Sequence, residues 1–212
     1  MIKATGICKS YKNKLVLDKI DFEIAAGDAA VFVGRNGSGK STLLSILSGF
    51  LRLDSGNVTR PPLVQFCPQE NSLFDELTVM DNLKFWQTAS GSQNNFAFTT
   101  MLGLDEYMQK KVKHLSGGMK KCLAICCTLT GNPDAIILDE PFAGLDILHK
   151  KKLLDVFKLL KAEGKTILYS SHSTDEICGL NADIYLVADA QIKRYIPEEK
   201  GLDMLDALLE RL

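Results

Sequence analysis

The chain has 212 residues, of which 24% are charged and 46% are hydrophobic, and its net charge is −1. This balance gives no overall basic field, so we expect no nucleic acid among its partners. We expect no signal peptide, because the first residues lack an apolar core, and no membrane span, because no run of about 18 apolar residues is present. Length and composition predict one large globular domain or two small ones.

The six cysteines contain no Cys-x-x-Cys pair. Cys122 and Cys126 are four residues apart on a predicted helix, a spacing that in principle allows metal binding. We favour the alternative that the thiols fill a core as small apolar groups. Free thiols suit a reducing cytoplasm, and we expect the protein there.

The first third of the chain combines short strands with one helix. The predicted strands lie at 15–17, 20–24, 29–33 and 63–67. A helix follows the third strand and ends near Gly49. Residues 53–57 are rich in turn-forming side chains, and the last of these strands ends at Pro68 and Gln69.

The pattern becomes mostly helical over residues 75–130. Thr78 and Asp81 have the spacing of a capping box at a helix start. Further helices are predicted at 96–102, 105–112 and 116–130. One apolar group here either fills the core of this block or forms a groove for a partner helix. Its members are Phe74, Leu77, Val79, Phe85 and Trp86.

Strands and helices alternate in the final third. The predicted elements are a strand at 135–138, a helix at 147–162, a strand at 166–170, a hairpin at 184–187 and 191–196, and a helix at 198–212. Such alternation predicts an α/β fold with a mostly parallel central sheet covered on both faces.

A glycine-rich loop follows the predicted strand at 29–33 and leads into a helix. It consists of Gly34, Arg35, Asn36, Gly37, Ser38, Gly39, Lys40, Ser41 and Thr42. Glycines let the backbone curl so that successive N–H groups point at one phosphate, and the helix N-terminus adds its positive end. Lys40 supplies a mobile cation for the outer phosphates, and the Ser41 hydroxyl can bind Mg²⁺. The strand, loop and helix together predict a nucleoside-triphosphate site.

Two carboxylates end the apolar strand at 135–138. Because a strand this apolar belongs in the middle of a sheet, its carboxyl end should lie at the crevice where ligands bind. Asp139 would then face the Mg²⁺ side of the loop, and Glu140 would point elsewhere and polarise the attacking water. The alternative is a strand that ends in solvated acids.

A second device for binding anions is predicted where Ser116, Gly117 and Gly118 open a helix. Ser116 can cap the helix, and the two glycines leave its first amides uncovered. Several lysines surround this segment and either attract nucleotide or offset nearby acids. They are Lys110, Lys111, Lys113, Lys120 and Lys121.

The order of these motifs resembles the ATP-binding subunits of ABC transporters across essentially the entire chain. Tyr11 sits where that family stacks an aromatic ring on adenine, and residues 34–42 are similar to its Walker A loop. Gln69 resembles the Q-loop glutamine, and residues 115–119 resemble the signature motif. The Walker B, D-loop and switch positions match 136–140, 143–146 and His172.

The resemblance implies the roles of the remaining site residues. Mg²⁺ would be held by Ser41 and Gln69 with help from Asp139. Glu140 would orient or deprotonate water, and His172 would stabilise the transferring phosphoryl group. The expected cofactors are therefore ATP and Mg²⁺, with Glu140, His172 and Gln69 as the catalytic residues.

A paired arrangement is also implied. In the family the signature serine and glycines cap the nucleotide of the other subunit, and the D-loop with Asp146 belongs to the same nucleotide site. A homodimer with two ATP molecules at its interface is therefore expected. The implied fold is a P-loop NTPase, a single domain of residues 1–212. About 1–70 and 132–212 form the core with an N-terminal antiparallel β subdomain, and about 71–131 form an inserted helical subdomain.

The resemblance further implies an integral membrane transporter subunit as partner, with this chain peripheral on the cytoplasmic face. Met119 replaces the usual glutamine, and Ile147 replaces the usual proline after the D-loop. The short helical block and the Ser-Gly-Gly-Met-Lys-Lys sequence favour the exporter-type, ABC-2-like subfamily. A soluble ABC-type ATPase acting on ribosomes or DNA, and a subunit that binds ATP without cutting it, remain as alternatives.

Overall fold

A computed structural model of the protein describes residues 1–70, 72–91, 96–171, 176–177 and 179–196. Its strands are β1 Ile2–Tyr11, β2 Lys14–Ile24, β3 Ala29–Val33, β4 Ser55–Thr59, β5 Val64–Cys67, β6 Ala135–Leu138, β7 Thr166–Ser171, β8 Asp183–Ala188 and β9 Gln191–Tyr195. Its helices are α1 Lys40–Ser48, α2 Val79–Ala89, α3 Ala97–Met101, α4 Gly117–Leu129 and α5 Ile147–Ala162. His172 and the predicted helix at 198–212 lie outside the described residues.

A six-stranded sheet forms the centre of the molecule, in the order β5-β6-β7-β3-β8-β9. Its neighbouring strands run parallel except β9, which pairs with β8 in the antiparallel direction. Every residue of β3, β6 and β7 is buried, which is the pattern of strands covered on both faces. The predicted α/β fold with a mostly parallel sheet is confirmed.

A smaller antiparallel sheet, in the order β2-β1-β4, adjoins the central one. The sequence predicts two short strands at 15–17 and 20–24, but β2 is continuous from Lys14 to Ile24 because it pairs along the length of β1. The turn predicted at 53–57 overlaps β4. Pairing of β4 with β1 from Ser55 to Thr59 supplies the hydrogen bonds that draw these turn-forming residues into a strand.

The helices begin and end close to their predicted positions, with one exception. The helix predicted at 105–112 is replaced by two 3₁₀ turns, Asp105–Tyr107 and Val112–His114. Thr78 and Asp81 form the predicted capping box at the start of α2. Within the residues that the structure covers, no helix is both long and apolar enough to cross a membrane.

Two apolar clusters cover the faces of the central sheet. Val31 and Val33 of β3 belong to the cluster that includes the buried side chains of α4 and α5. Ala30 and Phe32 belong to the other cluster, with α1 and the antiparallel sheet. Because side chains alternate along a strand, burial of the two faces fixes the register in which the central strands pair. This packing holds the carboxyl ends of the central strands at one edge.

The buried thiols contribute to these clusters. Cys122, Cys126 and Cys127 of α4 are all buried, as is Cys67 at the end of β5. Burial raises the pKa of Cys122 to about 11, so the thiol stays protonated at neutral pH. The arrangement fits the predicted role of the cysteines as core-filling groups. Cys178 lies outside the described part of the chain.

Candidate nucleotide-binding site

Two of the predicted segments, the glycine-rich loop and the acidic pair, follow the carboxyl ends of β3 and β6, the strands on either side of β7. The register pairs Val33 of β3 with Ser171 of β7, and Leu138 of β6 with Tyr169 of β7. The glycine-rich loop, the acidic pair and the end of β7 therefore meet at one edge of the sheet. In parallel sheets this edge is where ligands bind.

The glycine-rich loop has a backbone that larger residues would disturb. A Cβ atom on Gly34 would lie 2.3 Å from the carbonyl oxygen of Val187, so this position accepts no side chain. Gly39 has φ 110° and caps α1, whose first residue is Lys40. The loop consequently ends at a helix N-terminus, where uncovered amides favour an anion.

Lys40 is held against this loop. Its Nζ donates hydrogen bonds to the carbonyl oxygens of Gly34, at 2.8 Å, and Arg35, at 3.0 Å. The residue is buried, and this burial lowers the pKa of the ammonium, while the charges of Glu140 and Asp139 oppose the shift. The cation thus lies between the phosphate loop and the acidic pair, where a nucleotide phosphate would gain most from it.

An open cavity and a hydroxyl group without a described hydrogen-bond partner lie at the glycine-rich loop. The Ser38 Oγ atom is buried and has no hydrogen-bond partner among the described residues. An open cavity of about 490 Å³ adjoins it and is lined by residues 35–38, by residues 14–16 of β2 and by residues 187–190. A cavity of this size suits a nucleotide, and a phosphate oxygen would satisfy the hydroxyl. The residues present therefore fit the predicted ligand.

The acidic pair is joined by a serine that the sequence analysis did not assign. Asp139 is buried and its Oδ1 accepts a hydrogen bond of 2.7 Å from the Ser170 hydroxyl. The same oxygen of Ser170 accepts a hydrogen bond of 2.8 Å from the backbone N–H of Glu140. Glu140 has φ 46°, a left-handed backbone that is uncommon outside glycine and recurs at functional sites. Ser170 thus fixes both acids.

Gln69 completes this group. Its Nε2 donates a hydrogen bond of 3.2 Å to Oε2 of Glu140. The structure therefore brings together Gln69, Asp139 and Glu140, three of the residues predicted to act on Mg²⁺ or water. Their oxygens, with the exposed hydroxyl of Ser41, form the donor set that Mg²⁺ prefers. Among the residues described, no group of three His, Cys, Asp or Glu side chains holds a metal ion alone, and Mg²⁺ at nucleotides uses phosphate oxygens and water as well.

Ser116 caps α4 as predicted, accepting a hydrogen bond of 3.2 Å from the N–H of Met119. A Cβ atom on Gly117 would meet no other part of the described chain within 4 Å, whereas one on Gly118 would lie 3.2 Å from the carbonyl oxygen of Gly144. The start of α4 thus packs against residues 143–146 of the same chain. No hydrogen bond within the described ranges joins Ser116 to the loop of Lys40.

Asp146 and Tyr11 occupy the two outer positions of the predicted set. Asp146 caps α5, and its hydrogen bonds with the backbone and ring of His149 lower the pKa of its carboxyl. Tyr11 ends β1 with its side chain exposed, and it pairs with Lys14, which lines the cavity beside the loop. The cavity itself is lined on that side by Leu15 and Val16.

The lysines near Ser116 mostly offset acids. Lys111 and Lys113 pair with Glu76, and Lys120 pairs with Asp75. Lys121 differs from them because it is buried and its Nζ donates a hydrogen bond of 2.8 Å to the carbonyl oxygen of Gln69. Sequence alone gave no sign of this contact, because it joins residues 52 positions apart.

Known proteins match the chain in sequence and fold. The ABC transporter family model matches residues 17–143. An uncharacterized ABC transporter ATP-binding protein of Methanocaldococcus jannaschii is 35% identical over 83% of this chain and 70% of its own length. The Nod factor export ATP-binding protein I of Mesorhizobium japonicum is 33% identical over 81% of this chain and 56% of its own length. The chain therefore spans only part of the length of these relatives.

A solved structure extends the match to the fold. The ATP-binding cassette described as a dimer in a post-hydrolysis state, bound to ADP and Pi, superimposes with a TM-score of 0.84 at 22% identity. The alignment covers 93% of this chain and all of that one. Together with the family match, the phosphate loop and the acidic pair beside it, these findings identify the chain as a member of the ABC transporter family and one of its ATP-hydrolysing subunits.

Proposed function

We propose that this chain hydrolyses ATP at Glu140 while the nucleotide is bound between two copies of the chain, and that it thereby powers export through a separate membrane subunit. The observation that carries this proposal is the contact of Gln69 with Glu140 beside buried Asp139, next to the loop that holds Lys40. In this proposal residues 1–212 act as one ABC ATPase domain, with about 71–131 as its helical part.

The residues of this edge divide the work of hydrolysis. The amides of residues 34–42 and the Lys40 ammonium bind and orient the phosphates, and Tyr11 stacks on the adenine ring. Ser41, Gln69 and Asp139 would hold Mg²⁺, which when bound supplies neutralisation of phosphate charge. Glu140 orients or deprotonates the attacking water, and His172 stabilises the transferring group. Catalysis is then positioning and charge stabilisation.

The two anion-binding devices of the chain support pairing of two copies. Ser116, Gly117 and Gly118 expose helix amides that no hydrogen bond among the described residues connects to the Lys40 loop. We infer that they cap the nucleotide of a second copy, with Asp146 at the same interface. Cleavage of ATP removes contacts that only the closed pair makes, so the free-energy difference between the two states drives opening.

A groove beside Gln69 supports a membrane partner. It has a volume of about 390 Å³, lies between the end of α1 and helices α2 and α4, and includes Pro68 and Trp86. Phe50, 80% exposed, stands on one rim. Of the apolar group noted in the sequence, Val79 is core, whereas Phe74, Leu77 and Phe85 are exposed. We infer that a short helix of the membrane subunit docks here.

The proposed direction of transport and the proposed location of the chain rest on its relatives and on one sequence motif. One of them is named as a Nod factor export protein, and the Ser-Gly-Gly-Met-Lys-Lys sequence of this chain favours the same exporter type. We therefore propose export and a position on the cytoplasmic face of the membrane. The membrane subunit selects the cargo.

Replacement of Glu140 by glutamine tests the proposal. Glu140→Gln keeps the shape and the Gln69 contact but removes the carboxylate, so ATP should still bind while kcat falls by about 100-fold or more. The closed dimer should then accumulate with ATP and Mg²⁺. Nucleotide titration, phosphate release and light scattering measure the three quantities.

Any of four outcomes would contradict the proposal. Hydrolysis by Glu140→Gln at the wild-type rate would show that the base is another residue. A single copy by scattering with ATP and Mg²⁺, even in this variant, would remove the paired site. Wild-type protein that binds ATP without releasing phosphate, although dimeric, would favour the non-hydrolysing alternative. Copurification with ribosomes or DNA in place of a membrane protein would favour the soluble alternative.

A further inference from the structure

Lys121 places a buried positive charge in α4, although the helix itself needs no charge at this position. It lies in the second turn of α4, the helix that Ser116 caps, and it is only 5% exposed. A buried ammonium is costly unless its hydrogen bonds are satisfied. Its Nζ donates to the carbonyl oxygen of Gln69 at 2.8 Å, which is a charge-assisted and therefore strong hydrogen bond.

Gln69 joins this lysine to the acid of the active site. Its backbone carbonyl accepts from Lys121, while its side-chain amide donates to Oε2 of Glu140 at 3.2 Å. Gln69 is itself exposed, and it follows the last strand residue, Cys67, by two positions. Its position therefore depends on contacts such as the one with Lys121, more than on burial of its own side chain.

The segment after Gln69 is tied to the same part of the molecule. The Asp75 carboxylate accepts from Lys120 Nζ at 2.8 Å, and the Asp75 carbonyl accepts from the N–H of Lys113 at 3.0 Å. The Lys120 pair is solvent-exposed, and such pairs contribute little energy. Lys120 and Lys121, which are consecutive in α4, thus hold the two ends of the connection between Gln69 and Asp75. The buried Lys121 holds the end at Gln69.

We propose that Lys121 is a positioning residue for ATP hydrolysis. It fixes the Gln69 backbone to α4, so that the Gln69 amide stays on Glu140 and a shift of the capping helix is passed to the acid. The inference rests on the proposed function, in which Glu140 acts on water and the start of α4 caps the nucleotide of the second copy. Lys121 contacts neither nucleotide nor water in this scheme and acts through Gln69.

The test compares Lys121→Met with Lys121→Arg and Lys120→Met in the full chain. Methionine keeps the length and apolar stem but cannot donate, arginine keeps a donor, and the Lys120 variant removes the neighbouring lysine, which is only partly buried. We measure ATP affinity by fluorescent-nucleotide titration and kcat per bound ATP by phosphate release. Lys121→Met should lower kcat about tenfold with the Kd for ATP within about twofold of wild type. Lys121→Arg should recover most of the rate, and Lys120→Met should match wild type.

A merely structural role predicts a different result. Lys121→Met would then lower the melting temperature and the fraction of protein that binds ATP, but kcat per bound ATP would stay at the wild-type value, which overturns the proposal. If Lys121→Met does not fold, Lys121→Gln is measured in the same way and by the same criterion. Glu140→Gln separates the two inferences: if it is inactive while Lys121→Met keeps full kcat, the positioning role fails and the proposed function stands.

Discussion

At the scale of single residues, Ser170 is the side chain that contacts both acids of the candidate site. One hydroxyl donates to Asp139 at 2.7 Å and accepts from the N–H of Glu140 at 2.8 Å, and it is fully buried. The second of these contacts meets the backbone at the residue with φ 46°. A left-handed backbone at a non-glycine residue persists only where its surroundings hold it. Ser170 is one of the groups that hold it.

Ser170→Ala should therefore weaken both the fold and the chemistry. The Glu140 N–H loses its acceptor and Asp139 loses a donor in a buried site, so the free energy of unfolding should fall by about 1–3 kcal/mol. With the Glu140 backbone less restrained, kcat should fall by about tenfold or more. Denaturant unfolding and phosphate release measure the two effects.

Ser48→Ala is a matched control for this change. The Ser48 hydroxyl also donates to a carbonyl oxygen, that of Ser45, and accepts from a backbone N–H, that of Phe50. It is only partly buried and remote in sequence from the acids, so water can replace its contacts and hydrolysis by the isolated chain should be unchanged. Equal stability and kcat in Ser170→Ala and wild type would contradict the role assigned to Ser170.

The loop that we propose to bind phosphate has a local sequence pattern, whereas the residues that hold the acidic pair and Gln69 in place do not. Lys40 and Gly39 belong to a contiguous loop whose chemistry depends on local spacing. Ser170 and Lys121 act through partners 31 and 52 positions away. Neither position carries a local pattern, and only the packing of β7 beside β6, or of α4 beside Gln69, creates the contact.

At the scale of elements, α2 illustrates a local signal that was sufficient. Thr78 accepts a hydrogen bond of 3.1 Å from the N–H of Asp81, and the Asp81 carboxylate accepts one of 3.3 Å from the N–H of Thr78. The Asp81 carboxylate also accepts a hydrogen bond of 2.6 Å from the Thr78 hydroxyl, and this bond, together with the one from the Thr78 N–H, lowers the pKa of the Asp81 carboxyl. Both partners lie within three residues, so the sequence alone predicted where the helix begins.

Thr78→Ala should destabilise the protein through this helix start. Loss of the capping hydroxyl leaves the Asp81 N–H without its acceptor, and the free energy of unfolding should fall by about 1 kcal/mol. Thr88→Ala is the control, because its exposed hydroxyl lies within the same helix and contacts only the carbonyl oxygen of Lys84 among the bonds described. Denaturant unfolding compares the two. Equal losses would show that the capping box does not stabilise α2.

Strand β4 shows where local signals fail. Ser55, Gly56 and Asn57 favour turns, yet Ser55 and Asn57 pair with β1. Gly56 lies at the register shift between them, where a Cβ would lie 2.3 Å from the carbonyl oxygen of Gly6. Only glycine fits at position 56 because the backbone of β1, a strand distant in sequence, approaches closely there. Long-range pairing therefore overrides the turn propensity, as it also merges the two short strands predicted within β2.

At the scale of the whole molecule, the two glycines that follow Ser116 face different surroundings. Gly118 lies against Gly144, so it is constrained within the chain. Among the described residues, nothing outside its own helix backbone and chain neighbours lies within 4 Å of where a Cβ of Gly117 would be, and Gly117 is the first residue of α4. The folded chain alone gives no reason for a glycine there. A reason arises if a second copy brings its nucleotide close to this helix start.

Gly117→Ala separates folding from pairing on this basis. Alanine fits the open space and favours a helix over glycine by about 0.5–1 kcal/mol, so the variant should fold with equal or greater stability. Its ATP affinity as a single copy should match wild type, because the Lys40 loop is untouched. The added methyl group would stand between the capping amides and the nucleotide of the second copy, so ATP-dependent pairing and phosphate release should both fall by about tenfold or more. Scattering with ATP and Mg²⁺, made in the Glu140→Gln background to accumulate the closed pair, measures the pairing. If Gly117→Ala pairs and hydrolyses as well as wild type, the open face of α4 does not cap a nucleotide, and the site must be complete within one chain or capped by another element.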